Sequence, residues 1–231
     1  MKKSFLAVSM SFVLLNITGA AYSADINAGR AKSASCASCH GEEGNSMVPM
    51  FPKLADQNEE YLIKQMKAFK DGSRRDATMN SMVAGLSDQD IADIAAFYEA
   101  QKVTENSLPR LELDDDEDDL SAEQFAEAKK AAQAQQDALL ALGYDVYRNG
   151  NLEREISACI ACHGPYGEGN KPASFPALQG QHADYLIKTL TDFKTNVRSN
   201  NPENMMHMIA NKITDEEIKA IAYHVSVMKS H

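Results

Sequence analysis

The sequence predicts an all-α protein of two tandem domains that share one fold and are joined by an acidic, partly helical linker. Three observations carry that reading. Apolar residues recur at intervals of three and four, the second half of the chain repeats the first nearly in register, and each half contains the pentapeptide C-x-x-C-H.

The pentapeptides are Cys36-Ala37-Ser38-Cys39-His40 and Cys159-Ile160-Ala161-Cys162-His163. Two thiols spaced by two residues meet the two vinyl groups of one porphyrin while the adjacent imidazole reaches the iron, so each motif reads as the attachment site of one covalent haem c. The expected haem-bearing thiols are Cys36, Cys39, Cys159 and Cys162, and His40 and His163 are the expected axial ligands. A redox dithiol or half of a zinc site has the same spacing. Repetition argues against both, because a four-cysteine zinc site would leave the paired histidines without a role. The chain has four cysteines, so none remains for a disulfide, a nucleophile or a thiolate iron ligand.

Residues 1–23 have the layout of a cleaved secretory signal: Lys2-Lys3, an apolar run from Phe5 to Ile17, then small residues up to a mature start at Ala24. The run is short for a membrane span, and retention as an anchor is the alternative. The rest of the chain is long enough for two small domains. The formal charge of −10 argues against nucleic acid or an anionic membrane surface and favours partners with basic or small apolar patches.

Domain 1 is read as residues 24–102 and domain 2 as residues 143–231. Gly44-Asn45 answers Gly169-Asn170, Phe51-Pro52-x-Leu54 answers Phe175-Pro176-x-Leu178, and Gln57 answers Gln181. Tyr61-Leu62-Ile63-Lys64 then answers Tyr185-Leu186-Ile187-Lys188, and Phe69-Lys70 answers Phe193-Lys194. Tyr61, Leu62, Met66 and Phe69 lie on one helical face, as do Tyr185, Leu186, Leu190 and Phe193. A short helix carries each pair of cysteines. The last helix of each half starts at a capping pattern, Ser87 to Asp90 and Thr214 to Glu217. Its buried stripe is Ile91, Ile94, Ala95 and Tyr98 in the first half, and Ile218, Ile221, Ala222 and Val225 in the second. Between the halves, residues 103–142 form the linker. The six acids from Asp114 to Asp119 repel one another and stay solvated, and Ser121 caps an Ala-rich helix running to about Leu142 with Phe125, Leu139, Leu140 and Leu142 as anchors. Gly143 to Arg148 is expected to begin domain 2 with a separate helix, packed through Tyr147.

A thioether is a soft, neutral ligand that stabilises ferrous iron, so a methionine is expected opposite each histidine. Of eleven methionines, Met79 and Met206 coincide under the repeat, each eight residues before its capping hydroxyl, Ser87 or Thr214. Met47, Met66 and Met82 have no methionine opposite them. Met205, Met208 and His207 are the rivals at the second site and Met82 at the first, and filling core space is the other role open to any of these methionines. Arg74 or Arg75, with Arg198, precede the methionines and read either as partners of haem propionates or as solvated surface residues. His182, His224 and His231 lack counterparts and read as structural or surface residues.

With both C-x-x-C-H motifs, both Phe-Pro-x-Leu segments, Gln181-His182 before Tyr185 and the Met-to-capped-helix spacing, the chain resembles the dihaem cytochrome c4 family over roughly residues 25–102 and 143–231. The resemblance implies two class I cytochrome c domains, each a few helices wrapped around one covalent haem. It implies that Pro52 and Pro176 offer their carbonyls to the ligand imidazoles, a support that fixes the tautomer; an ordinary turn is the other role for each. Haem is attached to such apocytochromes outside the cytoplasm, which matches the signal and places the protein in the periplasm. The implied function is that of a carrier and not an enzyme. It takes single electrons from a quinol-oxidising complex or a dehydrogenase and passes them to a terminal oxidase or reductase, without a small-molecule substrate, as a monomer or weak dimer. The other classes are a cytochrome subunit of a multi-subunit dehydrogenase, such as a flavocytochrome, and a dihaem redox enzyme. The linker is longer than the family's short connection, so the sequence does not say whether the domains touch.

Overall fold

The computed structural model describes residues 23–109 and 120–229. The predicted signal up to residue 22, the acidic run Asp114–Asp119 and His231 lie outside the described residues. Domain 1 contains α1 (Ile26–Lys32), α2 (Ala37–His40), α3 (Glu59–Asp71), α4 (Ala77–Val83) and α5 (Asp88–Glu99). Helix α6 (Ala122–Asn149) leads into α7 (Ile160–His163), α8 (Ala183–Lys194), α9 (Met205–Ala210) and α10 (Asp215–Ser226). No strand longer than an isolated bridge occurs among the described residues.

The two halves are assembled alike. In domain 1, α1 packs on α5, α5 on α3, and α3 on α4; in domain 2, α6 packs on α10, α10 on α8, and α8 on α9. Helices α5 and α10 start where expected, at capping boxes made by Ser87 with Asp90 and Thr214 with Glu217. In each box the hydroxyl accepts from the third helical N–H while the carboxylate accepts from the cap's own N–H. The apolar stripes are also found as expected: Leu62, Ile94, Ala95 and Tyr98 sit in one core, and Leu186, Ile218, Ile221, Ala222 and Val225 in the other.

Helix α6 departs from the expectation. The sequence suggests a linker helix ending at Leu142 and a new one from Gly143; the structure has one helix of 28 residues, capped by Ser121 and Gln124. Gly143 stays inside it because this is where α6 crosses α10. A Cβ there would lie 2.0 Å from the Ala220 carbonyl oxygen, so the crossing requires glycine's bare backbone rather than a helix break. The equivalent position in domain 1 is Gly29 of α1, whose Cβ would lie 2.0 Å from the Asp93 carbonyl oxygen of α5. Among the described residues the early part of α6 has little to pack on, and Phe125, expected as an anchor, is 39% exposed.

The domains meet along a polar seam with near two-fold symmetry. The buried Gln57 side chain donates to the Ala177 carbonyl at 2.8 Å and accepts from the Ala177 N–H at 2.8 Å. Its counterpart Gln181 donates to the Lys53 carbonyl and accepts from the Lys53 N–H, both at 2.9 Å. Asn58 donates to the Phe175 carbonyl at 2.5 Å, and the imidazole of the equivalent His182 lies 2.9 Å from the Ser46 carbonyl, a structural role for that histidine. The chain leaving domain 1 completes the seam: Lys53 Nζ donates to Thr104 O and Asn106 Oδ1, both at 2.7 Å, while Asn106 Nδ2 donates to Gly180 O at 2.8 Å and Ser226 O at 3.0 Å.

Candidate haem sites

Each C-x-x-C-H motif folds as one helical turn, α2 or α7, with its first cysteine at the N-terminal cap and its histidine as the last helical residue. Neighbours hold that turn against the core: Cys36 packs on the cluster containing Tyr98, and Cys159 on the cluster containing Tyr147. Burial pushes the Cys36 thiol up and the Cys159 thiol to about 11. All four cysteines are unpaired and partly accessible.

His40 and His163 are 6% and 8% exposed. Nδ1 of His40 donates to the Pro52 carbonyl at 2.8 Å, and Nδ1 of His163 to the Pro176 carbonyl at 2.9 Å. A carbonyl can only accept, so these contacts fix the proton on Nδ1 and leave Nε2 as the free lone pair of each ring. Burial lowers both imidazole pKa values, with the proline carbonyls pulling the other way. The preceding aromatic of each Phe-Pro pair flanks its histidine, Phe51 and Phe175 each at 6.4 Å between ring centroids.

The methionine positions also correspond. Met79 lies in α4 and Met206 in α9, and both are half-buried, whereas the rivals Met82 and Met208 are 41% and 52% exposed. Nδ1 of His207 lies 2.9 Å from the Phe193 carbonyl. The domain 1 equivalent is Asn80, which donates to the Phe69 carbonyl, so the residue after each methionine ties its helix to the end of the longer one. Met205 is half-buried beside Met206.

Two guanidinium groups gather at the seam. Arg198 is buried and donates to Tyr61 Oη and Gln65 Oε1, both at 2.9 Å; Arg74 donates to Gln65 Oε1 at 2.8 Å and Tyr185 Oη at 3.1 Å. Arg75 is exposed. Neither Arg74 nor Arg198 forms an ion pair among the described residues. Burial would raise the Tyr185 phenol, yet Arg74 and Arg198 outweigh it and draw it down to about 8. Such a concentration of positive charge suits an anionic group, and the carboxylates of a haem fit it. Two unpaired thiols and one Nδ1-protonated imidazole per domain fit the rest of the group. No cluster of three or more His, Cys, Asp or Glu able to hold a metal ion occurs among the described residues, so the cysteines do not converge on a zinc site.

Fold and site together define a c-type cytochrome with two covalently bound haems. A family model described as Cytochrome c matches residues 26–102 and 140–229. Cytochrome c4 of Azotobacter vinelandii is 40% identical over 222 residues, covering 91% of this chain and 93% of its own. The crystal structure of reduced recombinant cytochrome c4 from Pseudomonas stutzeri superposes with a TM-score of 0.76 at 35% identity, covering 90% of this chain and all of that one. A protein named thiosulfate dehydrogenase electron acceptor, from Stutzerimonas stutzeri, is 34% identical over 188 residues, covering 81% of this chain and 76% of its own. The chain belongs to the cytochrome c4 family, and it is a dihaem electron-transfer cytochrome.

Haem, when bound, supplies a reversible one-electron couple. The residues of this chain would supply the rest: thiols to fix the group covalently, an imidazole held in one tautomer, and the guanidiniums of Arg74 and Arg198 for the carboxylates. Sequence reasoning missed the seam contacts of Gln57 and Gln181, although their match in the repeat was the available signal. It also missed Gly29 and Gly143, which carry no signal of their own.

Proposed function

We propose that this protein is a periplasmic carrier that moves single electrons from a quinol-oxidising complex or a dehydrogenase to a terminal oxidase or reductase. His40 with Met79, and His163 with Met206, are the axial pairs. The observation that carries the reading is the duplicated arrangement of a proline-anchored imidazole and a half-buried methionine on the short helix packed against α3 or α8. Two protein ligands leave no open position for a substrate, so outer-sphere transfer is what remains. The exposure of Met82 and Met208 supports Met79 and Met206 over those two rivals, and the place of Met206 opposite Met79 in the repeat favours it over Met205 and His207.

Arg74 and Arg198 would hold haem carboxylates at the seam. No helix among the described residues is long and apolar enough to cross a membrane, and export rests on the N-terminal pattern of Lys2-Lys3 and the apolar run. The thiosulfate dehydrogenase electron acceptor among the relatives supports a dehydrogenase as one source of electrons. A monomer or weak dimer is the expected solution state.

Replacing Met79 and Met206 in turn by alanine tests the assignment. Each substitution is expected to remove the weak near-infrared thioether-to-iron band from one haem and to let carbon monoxide bind that haem in the reduced protein. Survival of the band in both variants would overturn the ligand set. Ready binding of carbon monoxide or cyanide to the unsubstituted protein would overturn the carrier reading in favour of a dihaem enzyme.

A further inference from the structure

The seam glutamines reach the candidate haem ligands through a single peptide group each. The peptide joining Pro52 to Lys53 is engaged at both ends: its carbonyl accepts from His40 Nδ1 at 2.8 Å, and its N–H donates to Gln181 Oε1, from the other domain, at 2.9 Å. The peptide joining Pro176 to Ala177 mirrors it. Its carbonyl accepts from His163 Nδ1 at 2.9 Å, and its N–H donates to Gln57 Oε1 at 2.8 Å. Both glutamines are buried and fixed, because each amide also donates to the next carbonyl of the opposite domain, Lys53 O or Ala177 O. Their oxygens accept one further N–H apiece, from His182 and Asn58, at 3.0 Å.

A peptide group is conjugated, so an acceptor on its N–H pushes charge toward its carbonyl oxygen. Hydrogen bonds in such a chain strengthen one another, and the effect is larger in a buried, low-dielectric place than in water. A more negative proline carbonyl draws harder on the imidazole proton, which raises the basicity of the ring as a ligand. A more basic ligand favours the ferric state and lowers the potential.

We propose that Gln181 tunes the haem of domain 1 and Gln57 that of domain 2, so that each domain sets the ligand basicity of the other. Neither glutamine touches its target imidazole; both are positioning residues acting through one peptide. The proposal rests on reading His40 and His163 as iron ligands.

The test is an optical redox titration of the holoprotein, with the haems told apart by their resolved proton NMR signals. Gln181→Met is expected to raise the potential of the domain 1 haem more than that of domain 2, and Gln57→Met to do the reverse. Gln181→Glu keeps a stronger acceptor on the Lys53 N–H and is expected to lower the domain 1 potential more than the other, which covers a methionine variant that fails to fold. A shift confined to the substituted domain's own haem, an equal shift of both, or no shift overturns the relay. An equal shift is what a merely loosened seam would give. The near-infrared band is recorded throughout: present in every variant with unmoved potentials, it leaves the ligand reading standing and the relay refuted. Its absence from the unsubstituted protein refutes Met79 and Met206 as ligands, while the relay through His40 and His163 is still decided by which potential moves.

Discussion

Asp93 holds the start of domain 1 to its last helix. The buried carboxylate accepts from the Asp25 N–H at 3.0 Å, from Lys32 Nζ at 2.9 Å and from Gln89 Nε2 at 2.7 Å. The Asp25 N–H, and after it Lys32, hold its pKa below the usual carboxylate value. A depressed folded pKa means the stabilisation is complete above the unfolded value, about 4, and fades as pH falls through the folded one. Thermal melting of domain 1, followed by circular dichroism, is therefore expected to drop as pH is lowered below about 4. Asp93→Asn should flatten that slope and lower the melting point at neutral pH; an unchanged slope would refute the assignment. Domain 2 has Ala220 at this place, and its last helix is tied instead by Glu217, the counterpart of Asp90, which pairs with Arg154. At this scale the cysteines and histidines were legible because their spacing is their chemistry. Asp93 was not, since a carboxylate one turn into a capped helix looks like any solvated acid until α1 is laid across it.

The two helix crossings repeat one geometry with different side chains. In domain 1 the large residue beside the first haem cysteine is Tyr98 of α5, opposite Ser33; in domain 2 it is Tyr147 of α6, opposite Val225. The aromatic has changed sides, and total volume is roughly conserved, the kind of exchange a close-packed interior tolerates. Tyr147 Oη donates to the Gly164 carbonyl at 2.7 Å, so Tyr147→Phe is expected to cost about 1 kcal/mol in denaturant unfolding, and a neutral result would make the bond dispensable. Gly143→Ala would drive a methyl group into the backbone of α10 and is expected to cost about 3 kcal/mol. A loss no larger than the gain in helix propensity would mean that the helices separate freely. Caps and stripes of α3, α5, α8 and α10 could be read from the sequence because they depend on near neighbours. The continuity of α6 could not: a glycine within a helical pattern reads as a break, and only the partner helix explains it.

For the whole molecule, net charge and the seam govern behaviour. A protein of formal charge −10 is steered toward basic redox partners, so electron exchange with such a partner should slow as salt is raised from about 0.01 to about 0.15 M, over which screening shortens from about 30 Å to about 8 Å. A rate indifferent to salt would point to apolar docking instead. The packing of the domains was not legible, because it depends on Lys53, Gln57, Gln181 and Asn106 reaching partners 50 or more positions away. Asn106 in particular faces Lys53 on one side and the carbonyls of Gly180 and Ser226 on the other, before residues 110–119 are reached. These contacts predict that the halves stay together without covalent continuity beyond Pro109. A chain nicked by a protease within residues 110–119 should migrate as two fragments in detergent, yet elute from a sizing column as one particle with both chromophores.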